Sequence, residues 1–364
     1  MEEPGVETNQ VPSPGSSADA PRTKSSRATR YPRGGGPYDD ERRPTFGQWL
    51  KLIWPDILTM LAIGAVVFPV YYFAPPLATP SFPIDDDDED KKPSTSTRSS
   101  SILPQYAYPA RPQTISNWLI AIIAIATPVI IILLTQIRIR NFWDLNNALL
   151  GFAHALVLSS AFQATVKGLI GGLRPNFYDV CQPDPTKLSD HNKKSGLEGV
   201  GYRGDMYTRA ACTTPRQASL RNAMQSFPSG HSTTTFAAAI YLSLYLNSKL
   251  KVFGNYHTSL WRLVVVLLPI LAAVLLVGTL IVDNTHSWWD VLAGATIGTV
   301  MALAGYRLVY AGLFNWRVNH IPLSRSVPFV QEEKEDGVSR PGFAEKERAT
   351  EQMVGDAGQR QRHD

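Results

Sequence analysis

The stretch LVVVLLPILAAVLLVGTLIV, residues 263–282, carries no charged side chain and is dominated by Leu, Val and Ala. Crossing about 30 Å of hydrocarbon takes roughly 20 such residues in a helix, which satisfies its own backbone polar groups. This segment therefore reads as a transmembrane helix, and it sets the fold class. Outward from it, five more segments have the same character: Ile53–Phe73, Trp118–Ile137, Leu145–Val166, His231–Asn247 and Trp289–Leu313. The expectation is an all-α bundle of six transmembrane helices in an integral, multi-pass membrane protein. His231–Asn247 is the least apolar, because Ser232, Thr233, Thr234 and Thr235 crowd its start. Hydroxyls return hydrogen bonds to the helix backbone and are tolerated where a neighbouring helix covers them, so this span is expected to face the bundle interior.

The ends differ in kind. Residues before Pro44 are rich in Pro, Gly, Ser and Arg, and the end from about Arg325 is charged with little apolar periodicity. Such compositions cannot repay the entropy of ordering. The expected organisation is a disordered tail over 1–49, a six-span domain over 50–316 and a disordered tail over 317–364. No cleavable signal peptide is expected, since the first apolar run is long enough to remain as a span. Arg42, Arg43 and Lys51, Arg138 and Arg140, Lys249, Lys251 and Arg262, and Arg317 and Arg325 alternate with the spans so that both termini are expected to be cytoplasmic. Parity is firmer than orientation: with six spans, the loops after the third and the fifth share a side. That side is expected to be lumenal, vacuolar or extracellular. Both cysteines, Cys181 and Cys212, fall in the loop after the third span. A disulfide there would contribute roughly 3 kcal/mol by loop closure, and two free thiols are the alternative.

Three polar clusters sit at span ends on that one side. Lys167 and Arg174 are seven apart, about two helical turns, and share a face if the helix continues past the membrane edge, although Gly168, Gly171 and Gly172 weigh against continuation. Two cations so placed suit a phosphoryl group, with Arg able to grip two oxygens; basic residues reaching for lipid headgroups are the plain alternative. Pro228-Ser229-Gly230-His231 opens the fourth span, with Ser229 as cap and free N–H groups aimed outward, the arrangement that attracts anions. His231 could donate a proton to an oxygen on phosphorus, or be a solvated helix-end residue. His286 and Asp290, four apart, could share a helical face, letting the carboxylate orient the imidazole; alternatively Asp290 answers the helix dipole. Trp288 and Trp289 fit an interfacial aromatic belt.

Taken together, Lys167-(x6)-Arg174-Pro175, Pro228-Ser229-Gly230-His231 and His286-(x3)-Asp290 resemble the three signature motifs of the type 2 phosphatidic acid phosphatase superfamily, specifically the integral-membrane lipid phosphate phosphatases. The resemblance spans roughly Trp54 to Leu313. It implies metal-independent hydrolysis through a phosphohistidine, with no cofactor and no magnesium requirement. By the same resemblance, His286 is the nucleophile, Asp290 its orienter and His231 the general acid. Lys167, Arg174, Ser229 and the backbone of Gly230 would hold the phosphate. The implied substrates are phosphatidate, diacylglycerol pyrophosphate or lysophosphatidate, presented from the bilayer. No nucleic acid partner is expected, and homo-oligomerisation stays open.

The chain departs from the family pattern at one place. The third motif begins Ser-Arg, and here those positions are Thr279 and Leu280. Losing a preorganised donor of that kind costs about 3 kcal/mol in the transition state. Another basic residue (Arg203, Arg209, Arg216 or Arg221) could take its place, activity could be lower, or the protein could be a noncatalytic lipid binder. A transporter would need ionisable residues within the spans, where Asp56 and His154 are the few present and make no pathway. The acidic run Asp85–Asp90 lacks the spaced ligands and turn glycine of a calcium loop.

Overall fold

The computed structural model describes residues 44–73, 80–83, 103–183, 206–325, 329, 333–335 and 338–340. The expectations for residues 1–43, for Asp85–Asp90 and for Arg203 lie outside the described residues. Among the described residues, eight α-helices follow in chain order: α1 (Phe46–Phe73), α2 (Asn117–Ile139), α3 (Phe142–Ile170), α4 (Phe177–Cys181), α5 (Gln217–Ala223), α6 (Gly230–Leu250), α7 (Leu260–Val282) and α8 (Trp288–Val309). Two short antiparallel pairs accompany them, β1 (Phe82–Pro83) with β2 (Met206–Tyr207) and β3 (Glu333–Glu335) with β4 (Val338–Arg340). The fold is all-α, and the protein is an integral membrane protein.

Among the described residues, α1, α2, α3, α7 and α8 are long and apolar enough to cross a membrane. Helix α6 has the length but not the apolarity, because Ser232, Thr233 and Thr235 are buried inside the protein rather than turned to lipid. It lies at the centre, packed by α8, α3, α7 and α2. The outward faces of α1, α2 and α7 expose Leu61, Ile130 and Leu275 among others, as a lipid-facing surface requires.

Glycines set how closely α6 and α8 approach. A Cβ on Gly294 would lie 2.6 Å from the Ser229 carbonyl oxygen, and one on Gly298 2.3 Å from that of Thr233. Small residues four apart thus allow backbone-to-backbone packing, which is how helices associate where lipid removes the hydrophobic drive. The contact brings the two helix N-termini together, and the Ser229 N–H donates to the Asp290 carbonyl oxygen at 3.1 Å.

At the opposite end, buried Asp144 of α3 accepts from Lys249 (2.5 Å), Tyr310 (3.0 Å) and Gln136 (2.8 Å), tying α2, α3 and α6 to the chain after α8. A charge this deep is tolerated because every lone pair it offers meets a donor. The chain beyond residue 316 also packs: Val318 and Asn319 are buried, and the Leu323 N–H returns to Val309. Described residues on either side of 50–316 thus join the packing, since Tyr306 and Lys251 both bond Asn319.

Above the motif end, Phe82, Leu173, Phe177, Leu220, Ala223 and Met224 form a small separate core. Cys181 and Cys212 are joined there in a disulfide, which settles the alternative left open by the sequence. This cap carries Arg174 and Asn222.

Candidate active site

Helix α3 delivers Lys167 in its last turn, buried to 4% exposure. It then stops: Gly171 and Gly172 have φ of +67° and +109°, a region that favours glycine. Arg174 accordingly lies in the turn that follows, and the continued helix that would have put both cations on one face does not form. The cap supplies the position instead. The Arg174 backbone N–H donates to Ala223, and its guanidinium donates to the carbonyl oxygen and to Oδ1 of Asn222, each at 2.9 Å.

Ser229 is the N-cap of α6, its hydroxyl accepting the Ser232 N–H at 3.4 Å, and it is fully buried in that role. Gly230 follows against Gln163, whose Nε2 would lie 3.3 Å from a Cβ at that position and which donates to the Pro228 carbonyl. His231 sits half-buried on the first turn.

His286 precedes α8 rather than lying on it, so the shared helical face expected for His286 and Asp290 is replaced by a turn. The Leu280 carbonyl accepts from the backbone N–H groups of Thr285 and His286. Asp283 clamps the same turn by accepting from the N–H (2.8 Å) and hydroxyl (2.5 Å) of Thr114. Asp290 occupies the third position of α8 and makes a capping box with Ser287, while its Oδ2 also lies 3.5 Å from His286 Nδ1. The helix-cap role and the histidine contact thus coexist in one carboxylate. Ser226 joins them, its hydroxyl 2.5 Å from Asp290 Oδ2 and 3.4 Å from His286 Nδ1.

These elements enclose one cavity of about 270 Å³, lined by Lys167, Arg174, Gly230, His231 and His286, with Gln163, Asn222, Asn117 and Tyr71. Ile120, Ala121 and Ala124 of α2 and Thr234 and Thr235 of α6 carry it down between the helices. Burial, reinforced by the charges of Arg174 and Lys167, holds the His286 imidazole below its ordinary pKa in spite of Asp290, so it is neutral. Burial also pushes Arg174 down to about 10, against the pull of Tyr71 and Asp290, and it stays charged at neutral pH.

Leu280 does not reach the cavity. It is buried against Ile120 and Val277, with Phe236 and Val291 beside it. Of the basic residues considered as replacements, those described are placed as follows: Arg209 donates to Gln217, Arg216 is exposed, and Arg221 donates to the Tyr71 carbonyl at the cavity's edge. A larger cavity, about 630 Å³, lies away from the motifs among α1, α3 and the end of α8. There Asp56 meets His154 at 3.7 Å and pairs with Arg325, a grouping their separate places in the sequence did not indicate.

Sequence reading missed Gln163, Asn222 and Ser226. Gln163 is one helical turn before Lys167, and that spacing was an available signal. Asn222 and Ser226 act through contacts between distant segments and carried none.

A helical membrane bundle with motif imidazoles and cations around one cavity defines a class, and comparison with known proteins shows what the chain is similar to. Residues 148–313, a little under half of the chain, match the PAP2 superfamily. It is 34% identical over 218 residues to a PA-phosphatase related-family protein of Dictyostelium discoideum, covering 60% of this chain and 63% of that one. It is also 34% identical over 204 residues to lipid phosphate phosphatase 1 of Arabidopsis thaliana (56% and 57%). With diacylglycerol pyrophosphate phosphatase 1 of Saccharomyces cerevisiae it shares 32% identity over 166 residues (46% and 53%). The matches span roughly three fifths of the length of the first of these curated relatives. No solved structure gives a significant match.

Proposed function

We propose that this protein is a membrane lipid phosphate phosphatase, hydrolysing the phosphomonoester or pyrophosphate of phosphatidate, diacylglycerol pyrophosphate or lysophosphatidate without a metal. The carrying observation is that His231 and His286 line one cavity with Lys167 and Arg174. Relatives named lipid phosphate phosphatase and diacylglycerol pyrophosphate phosphatase support the substrate class.

The chemistry follows from what each group faces. With Nδ1 turned to Asp290 and Ser226, Nε2 of neutral His286 is the free nucleophile. It attacks phosphorus, the bond to the lipid oxygen breaks, and His231 donates a proton to that oxygen as it leaves. Water then attacks the phosphohistidine, with His231 taking its proton, and phosphate departs. Lys167, Arg174 and the backbone at Gly230 stabilise the charge spread over the phosphoryl oxygens, and Ser229 fixes the helix start that presents that backbone. The descent of the cavity along Ile120, Ala121 and Ala124 lets a headgroup reach the imidazoles while acyl chains stay in lipid. The alternation of basic segments and the disulfide support a lumenal, vacuolar or extracellular site with cytoplasmic termini.

The burial of Leu280 in an apolar cluster favours a second reading, a weakened or noncatalytic lipid binder. Phosphate release from phosphatidate by purified protein in detergent with EDTA, beside His286→Ala, separates the two. Release that survives EDTA and falls by orders of magnitude in the variant supports the enzyme. Release abolished by EDTA overturns the metal-free route, and no release from any phosphorylated lipid selects the binder.

A further inference from the structure

We propose that Ser226 is a positioning residue of the catalytic pair, its hydroxyl bridging His286 Nδ1 and Asp290 Oδ2. The role rests on the hydrolytic reading above. The imidazole and the carboxylate stand 3.5 Å apart, a long contact, and the Ser226 hydroxyl, itself 3.4 Å from Nδ1, supplements it. The Ser226 hydroxyl stands between them, donating to Asp290 Oδ2 at 2.5 Å and accepting from His286 Nδ1–H at 3.4 Å. A hydroxyl can do both at once, since it carries one donor and two lone pairs. That direction of donation leaves the proton on Nδ1 and the lone pair on Nε2, the tautomer that attack on phosphorus requires.

The surroundings leave Ser226 little other use. It is 1% exposed, and its hydroxyl has these two partners. Asp290 Oδ2 takes one further donor, the Ser287 N–H at 3.0 Å, while Asp290 Oδ1 has no partner among the described residues. Oδ2 is thus the atom through which the carboxylate acts, and Ser226 holds it. The backbone of Ser226 is fixed separately, its N–H donating to Gly172 and that of Phe227 to Gly171, both at the end of the Lys167 helix. Through this residue the segment that grips phosphate sets the orientation of the nucleophile, so binding and attack are geometrically linked.

Ser226→Ala removes the bridge and leaves those backbone bonds intact. The expected result is a kcat lower by about 10- to 100-fold, the range for one hydrogen bond to a charged group, with KM within about threefold. In an Asp290→Asn background the same change should lower kcat by less than about threefold further, because both act through one contact. Nitrogen NMR of histidine-labelled protein, with His286 assigned by its loss in His286→Gln, should show a single Nδ1–H tautomer in the wild type and mixed tautomers in Ser226→Ala. A kcat within twofold of wild type, full additivity with Asp290→Asn, or an unchanged tautomer overturns the proposal. Should Ser226→Ala not fold, Ser226→Cys, of similar size with a weaker donor, replaces it under the same criteria. A wild type that releases no phosphate sinks the hydrolytic reading, and the tautomer spectrum then decides the role of Ser226 on its own.

Discussion

Leu280→Arg introduces the arginine that the resemblance implies at one of the two motif positions where this chain departs, and two opposed effects can be weighed. Leu280 is 3% exposed among Ile120, Val277, Phe236 and Val291. Burying such a side chain contributes about 1.5–3 kcal/mol, and an arginine stem recovers part of it. Ile120 lines both this cluster and the cavity, so a longer side chain reaching past it arrives beside Lys167 and His286. A preorganised guanidinium there would lower the barrier by about 3 kcal/mol, or roughly 100-fold in rate. Without an anion the same charge is buried unpaired, at about 3–5 kcal/mol. The variant should therefore melt at a lower temperature, regain stability when inorganic phosphate is added, and release phosphate from phosphatidate micelles about 10- to 100-fold faster. Leu280→Met, which conserves volume, controls for packing and should leave the rate unchanged. A folded, phosphate-stabilised Leu280→Arg protein with unchanged or lower turnover would refute the reasoning, since another group must then already fill that position.

Arg174→Gln removes a charge that holds the His286 imidazole down, so the imidazole pKa rises and the acid limb of kcat/KM moves to higher pH; a shift to lower pH counts against the assignment. Gly298→Ala places a methyl 2.3 Å from the Thr233 carbonyl oxygen and should destabilise the α6–α8 contact by about 1–3 kcal/mol, read as a lower thermal midpoint in detergent. Breaking the Cys181–Cys212 link by a double serine variant should remove roughly 3 kcal/mol of stability and raise KM, because the cap also seats Arg174; an unchanged KM would separate the cap from phosphate binding.

The apolar runs located every long helix to within a few residues at most ends, because in lipid the period and length of apolar residues leave few other structures. The largest boundary error was at α1, which begins at Phe46 rather than Ile53: its first turns, near polar Gln48 and Lys51, fall outside any hydropathy signal. The place of α6 was legible for the converse reason, as its hydroxyls fit only a helix shielded by others. Parity of the spans put the three clusters at one end, and the cavity joins residues from all of them. What the chain concealed were contacts made across long separations, such as Arg174 with Asn222 and Asp56 with His154. No local pattern encodes those, since the first depends on how glycines end α3 and how the cap folds back, and the second on how α1 packs against α3.

The backbone-to-backbone seat of α8 on α6 has a mechanical consequence. Where long side chains separate two helices, rotamer changes let the gap breathe; here carbonyl oxygens meet bare Cα atoms, and the spacing is a hard stop. His231 and Asp290, each within a turn of that stop, inherit its stiffness. The cavity wall away from that stop is supplied by Tyr71 of α1 and by Ile120, Ala121 and Ala124 of α2, whose seating rests on side chains instead.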